Sequence, residues 1–174
     1  MVQTLIALVL ASLLSLGSGL FPPSIAGVVT PSLFGALPGV AGLLAGTPPS
    51  NLGVHDGQLS PCPDSPNCVV SQNGDVDHGI LPLTYQSDRN TAQEALLKVL
   101  SVVPQTQVIT QTDSYIRFES RSRLLGFVDD GEFYLPEEEK IIQVRSASRL
   151  GKSDLGVNRR RIEQIRLALQ DLGV

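Results

Sequence analysis

Residues 115–148 read YIRFESRSRLLGFVDDGEFYLPEEEKIIQVRSAS. Ile116 and Phe118 alternate with Tyr115, Arg117, Glu119 and Arg121; Phe133 and Leu135 share one parity, as do Ile142 and Val144. A period of two with apolar residues on one side is the pattern of strands that bury one face. The run Pro136-Glu137-Glu138-Glu139 interrupts that pattern with turn chemistry. The stretch therefore predicts strands over 115–122, 126–135 and 140–148. Just upstream, the β-branched residues of 107–111 and the turn signal Asp113-Ser114 add one more. Consecutive strands with short links favour an antiparallel meander.

Helical periodicity flanks this region on both sides. From Thr91 to Val103, Ala92, Ala95, Leu96, Val99 and Val103 form one stripe, with Ser87 or Asp88 placed to cap the start and Pro104 to end it. A second helix is expected to begin between Ser153 and Asn158 and to run to about Leu172, with Gly173 as its stop. Its stripe would hold Leu155, Ile162, Ile165, Leu169 and Leu172, with Asn158 near the centre. The expected fold is α+β, an antiparallel sheet of about four strands with two helices packed on one face.

The 174 residues are enough for one ordinary domain plus an extension. A net charge of −4 and the absence of Trp give no basic field for phosphates and no stacking platform for bases, so nucleic acid is not an expected partner. Residues 5–20, LIALVLASLLSLGSGL, are an apolar run broken only by serines and glycines, and 1–26 is read as a signal peptide or membrane anchor. Residues 27–58 are read as a Pro/Gly-rich spacer and 59–174 as a single α+β domain. An exported chain is expected in an extracytoplasmic compartment, with the N-terminal segment as its membrane tether if it is retained.

Cys62 and Cys68 are the only cysteines. An even count in an exported chain predicts a disulfide. Their C-x5-C spacing is not the C-x-x-C of a redox pair, and His55 and His78 complete no compact zinc-finger spacing with them, so no metal is expected.

The polar chemistry concentrates between Asp129 and Arg161. Arg145, Ser146, Ser148, Arg149, Ser153, Asn158, Arg159 and Arg161 bring hydroxyls and cations to a helix start, where free N–H groups and the helix dipole suit an anion. Gly151 and Gly156 have the spacing of a phosphate loop, but the Lys-Ser/Thr that should follow is missing. The alternative is a structural network in which Ser153 or Asp154 caps the helix and the arginines pair with the acidic cluster Asp129, Asp130 and Glu132. The leading reading is a non-enzymatic module for a small anion or a partner protein, without cofactor. The alternative is an exported hydrolase or metal-dependent enzyme using Asp129, Asp130, Glu132 and His78. An open pocket joining His78, Asp129, Asp130 and Arg145 would favour the enzyme; mutually paired charges on a convex surface would favour the module.

The strings SPCPDSPNCV, HGILPL, GFVDDGEFYL and IQVRSASRLGKSDLGVNRRRIEQIR occur in that order. Together they resemble domain of unknown function family 1499, a bacterial and plastid group of small proteins, over Leu59 to Leu172. The resemblance implies no activity or catalytic residue. It implies a periplasmic or thylakoid-lumen location.

Overall fold

The computed structural model describes residues 44–174. The signal or anchor segment expected over 1–26, and the spacer as far as residue 43, lie outside the described residues. Within them no helix is long and apolar enough to cross a membrane. The elements in chain order are β1 (Val54–His55), β2 (Gln58–Leu59), β3 (Cys68–Val70), β4 (Leu83–Thr84), α1 (Arg89–Val102), β5 (Thr106–Gln111), β6 (Tyr115–Arg121), β7 (Val128–Tyr134), β8 (Ile141–Ser148) and α2 (Val157–Asp171).

The α+β architecture is as expected, but the sheet is larger than four strands. It has six, in the order β3-β8-β7-β6-β5, with β4 also pairing β8. All pairings are antiparallel. The strands added to the meander are three and two residues long. Such pieces are too short to display alternation, and Pro82 beside β4 reads as loop chemistry.

The register assigns each side chain to a face. Ile116 lies opposite Phe133, which lies opposite Val144. With Phe118 and Ile142 these residues are fully buried beneath both helices, against Leu96, Leu100, Ile162 and Ile165. Phe118 and Phe133 stack with centroids 5.3 Å apart. The Phe118 ring lies over Gly131, where an added Cβ would come within 2.1 Å of it. Glycine is required there by close approach, not by backbone conformation.

Asp88 caps α1, accepting from the Thr91 amide at 3.0 Å and the Thr91 hydroxyl at 2.7 Å. In α2 the buried residues are Asn158, Ile162, Ile165 and Leu169. Leu155, placed on this stripe by the helical wheel, is instead 84% exposed and precedes the helix in left-handed backbone, φ 54°. The chain turns at Gly156, φ 77°, so the helical period does not extend back to Leu155.

The described part of the 27–58 stretch is structured. Asp56 and Gly57, both at positive φ, close a two-residue turn between β1 and β2. The Gly53 amide donates to Glu132 Oε1 at 2.7 Å, which brings this segment to the sheet face away from the helices.

Candidate functional site

Strand β8 distributes the candidate residues to opposite sides of the sheet. Arg145 lies opposite Glu132, whereas Ser146 lies opposite Gly131 and Ser148 opposite Asp129 on the helix side. The contiguous acidic cluster is divided by the same alternation. Asp129 faces the helices, and Asp130 and Glu132 face away.

On the helix side, Asn158 is the centre of a buried polar cluster. Its carbonyl accepts from the Ser146 hydroxyl at 2.5 Å and from Arg161 Nη1 at 2.9 Å. Its amide nitrogen lies 2.9 Å from Asp154 Oδ2 and 3.1 Å from both the Asn67 carbonyl and the Ser148 hydroxyl. Ser148 donates to Asp129 Oδ1 at 2.6 Å, and Arg161 donates to Asp129 Oδ2 at 2.6 Å. Asp154 completes the helix start, accepting from the Gly156 amide at 2.9 Å and the Asn158 amide at 2.8 Å. A carboxylate of the chain itself therefore occupies the position at the α2 N-terminus where an anion would sit.

On the opposite face the groups form an ionic layer. Arg117 Nη2 lies 2.8 Å from Asp130 and 2.9 Å from Glu119. Arg149 Nε lies 2.7 Å from Asp130, and its Nη2 contacts Glu119. Arg145 reaches Glu132 at 3.2 Å, and the Tyr115 hydroxyl donates to Glu132 at 2.8 Å. Burial alone would raise the pKa of Asp130, but hydrogen bonds from Arg149 and Arg117 outweigh it and hold the carboxyl below its ordinary value. Burial, with Glu132 beside it, raises the Tyr115 phenol. The Asp130 hydrogen bond likewise raises Arg149.

The remaining candidates serve other contacts. Arg159 donates to the carbonyls of Gly79 at 2.8 Å and Asp77 at 2.9 Å, and Arg166 to those of Leu81 and Pro82 at 2.7 Å. The HGILPL segment is thereby clamped to α2. Ser153 accepts from the Leu155 amide at 3.3 Å. His78 is buried, with Nδ1 2.8 Å from Asp75 and Nε2 3.2 Å from the Ser65 carbonyl. None of Asp129, Asp130 and Glu132 is among its partners. No described group of three or more His, Cys, Asp or Glu side chains is placed to hold a metal ion.

Cys62 and Cys68 form a disulfide with Cα atoms 5.7 Å apart. The loop it closes carries Asn67, which the sequence reading passed over. The Asn67 amide group donates to the Gly151 carbonyl at 2.7 Å, and its backbone carbonyl accepts from the Ser148 amide at 3.0 Å. Above the ionic layer, this loop and the incoming segment enclose a cavity of about 430 Å³ lined by Pro49, Asn51, Pro61, Asp130, Arg145 and Arg149 among others. Arg145 is only 4% exposed, and its Nε has no hydrogen-bond partner among the described residues.

A family model described as protein of unknown function (DUF1499) matches residues 58–169, more than half of the chain. The chain belongs to the DUF1499 family. No curated protein matches it. The DUF1499 match spans the disulfide loop, the whole sheet and α2 as far as its last buried residue, Leu169. Residues 44–57, which supply Gly53 to Glu132 and Pro49 and Asn51 to the cavity wall, precede the matched region.

Proposed function

We propose that this DUF1499 domain is an extracytoplasmic binding module that holds a small anionic ligand in the cavity over the ionic layer, with Arg145 as its principal contact. The observation that carries this reading is Arg145 in the cavity lining, buried and joined to Glu132 by one contact of 3.2 Å; its Nε, like that of Arg117, is buried without a partner among the described residues. A guanidinium carries five N–H donors in a fixed fork, and with one long contact to Glu132, Arg145 has donors to offer a ligand oxygen. The layer sets the guanidiniums of Arg117, Arg145 and Arg149 against the carboxylates of Glu119, Asp130 and Glu132, and Arg121, half exposed, adds one cation at its edge. The cavity volume falls within the range of about 300–1,000 Å³ that small-molecule sites occupy. The Cys62–Cys68 disulfide supports an oxidising compartment, such as periplasm or thylakoid lumen.

Native mass spectrometry of the full chain from its own compartment tests this reading. The expected result is a retained anionic small molecule, with Arg145→Lys keeping the charge and the fold by circular dichroism but losing the adduct. A wild-type chain that carries no adduct and is not stabilised by phosphate or citrate would overturn it.

A further inference from the structure

The end of the sheet where β6 turns into β7 carries apolar side chains that nothing among the described residues covers. The Ser122–Phe127 turn is closed by the Phe127 amide on the Ser122 hydroxyl at 2.9 Å and the Gly126 amide on the Ser122 carbonyl at 3.0 Å. It projects Leu124, 87% exposed, and Leu125, 51% exposed. The connection from β8 to α2 runs beside it, and together they line a cleft of about 220 Å³ that includes Leu150, Leu155 and Val157. Leu155 holds its exposed side chain from left-handed backbone, a conformation that non-glycine residues adopt only at a cost. Isolated exposed leucines are ordinary, but five apolar residues gathered at one end are a patch.

Two carboxylates line the cleft, Asp129 paired with Arg161 and Asp154 bonded to the start of α2, while the exposed charges on the two segments are basic. Arg123 and Lys152 are exposed beside the leucines and have no ion-pair or hydrogen-bond partner among the described residues. Arg121 and Arg160 are exposed on the same two segments. The opposite end of the sheet is acidic, with Asp88, Asp113, Glu137, Glu138 and Glu139 exposed. In a chain of net charge −4, the leucine end thus differs from the opposite end in the sign of most of its exposed charges.

We infer that the Leu124/Leu155 end docks on an anionic lipid surface, the leucines entering the headgroup region and Arg123 and Lys152 meeting lipid phosphates. Leucine tips ringed by basic side chains suit this interface, where apolar insertion and attraction to anionic lipid add. The path of the chain fits the same orientation. Gly46 packs against Arg149 and Leu150, so the chain enters the domain at this end. The apolar residues before it are not themselves the complement of the patch: the first 50 carry no charged side chain and would leave Arg123 and Lys152 unanswered.

The chain has no tryptophan, so Leu124→Trp in the full chain is a single reporter at the tip of the turn. With vesicles of mixed phosphatidylglycerol and phosphatidylcholine its emission shifts to the blue and is quenched by lipids brominated in the acyl chains. With phosphatidylcholine alone it does neither. Adding Arg123→Gln and Lys152→Gln lowers the apparent affinity by about thirtyfold. Three results overturn the inference. Chain that binds vesicles while the introduced indole stays solvent-exposed is held elsewhere. Emission already blue without lipid at every concentration places the chain's own segment on the patch. A blue shift that grows with protein concentration places a second copy there.

Discussion

The helix-bearing face of the sheet and the face turned away from it are built on the same strands from opposite chemistry. Ile116, Phe118, Phe133 and Val144 fill the first; Arg117, Glu119, Asp130, Glu132, Arg145 and Arg149 fill the second. The apolar layer is held by burial, which is non-directional and tolerates exchange of shape for shape. Each member of the ionic layer has surrendered water and depends on particular partners, so its net contribution to stability is small while the loss of one member is severe. The ionic layer is better suited to specifying than to stabilising. It fixes where residues 44–63 lie, through contacts such as Gly53 to Glu132, and that placement shapes the cavity.

The largest effect separating the two layers is expected at Asp130. Asp130→Asn keeps the shape but leaves Arg149 and Arg117 with Glu119 alone, and should cost about 3–5 kcal/mol in urea unfolding. The side chains concerned are almost fully enclosed, Asp130 at 1% and Arg149 at 4%, so solvent screening offers little relief. A loss below about 1 kcal/mol, the value of an exposed pair, would mean that the layer is solvated in practice.

One residue along, on the other face, Gly131→Ala tests the apolar layer. The new methyl meets the Phe118 ring, which is stacked on Phe133 and has no free direction to move. Overpacking of this kind costs about 1–3 kcal/mol. A compensating Phe118→Leu should recover part of it, whereas no change on the ionic face should. If Gly131→Ala melts with the wild type, the ring is not seated over this glycine.

The two layers were not equally legible. The apolar face could be read because Ile116, Phe118, Phe133, Ile142 and Val144 obey a local period, and α1 because Asp88 and Pro104 bracket its stripe. The ionic face has the same period, but alternation alone reads Arg117 and Glu119 as a solvated side. Their cover comes from residues dozens of positions earlier, which no local pattern announces. Asp129-Asp130 looked like one cluster because adjacency in sequence is easily mistaken for adjacency in space; the pleat sends the two carboxylates to different arginines, Arg161 and Arg149. Leu155 was misplaced because a helical wheel has no term for a left-handed turn at Gly156. Asn67 gave no signal beyond its position before Cys68, although it ties the disulfide loop to both β8 and α2.

The smallest effect concerns pH and tests whether the ionic layer is silent near neutrality. Its arginines keep their charge, and Asp130 is held below its ordinary value, so neither changes state between about pH 6 and 8. His78 does. Its hydrogen bond to Asp75 raises its pKa above 6.5, with burial opposing and the Ser65 carbonyl assisting, because both ring nitrogens donate in the imidazolium. The folded protein thus binds this proton more tightly than the unfolded chain. The stabilisation is fully present below the unfolded pKa and is lost as pH rises through the raised folded value. Asp75, lowered from 3.8 by the same partner, contributes above its ordinary pKa and loses its contribution in acid. The pair is therefore most effective between about pH 4 and 6.5, and the melting temperature should decline modestly as pH rises from there towards 8. His78→Gln should lower the melting temperature at pH 6 and flatten the decline. A decline of the same slope in His78→Gln would place the titrating group elsewhere, and the ionic layer, with its buried carboxylates, would be the first region to examine.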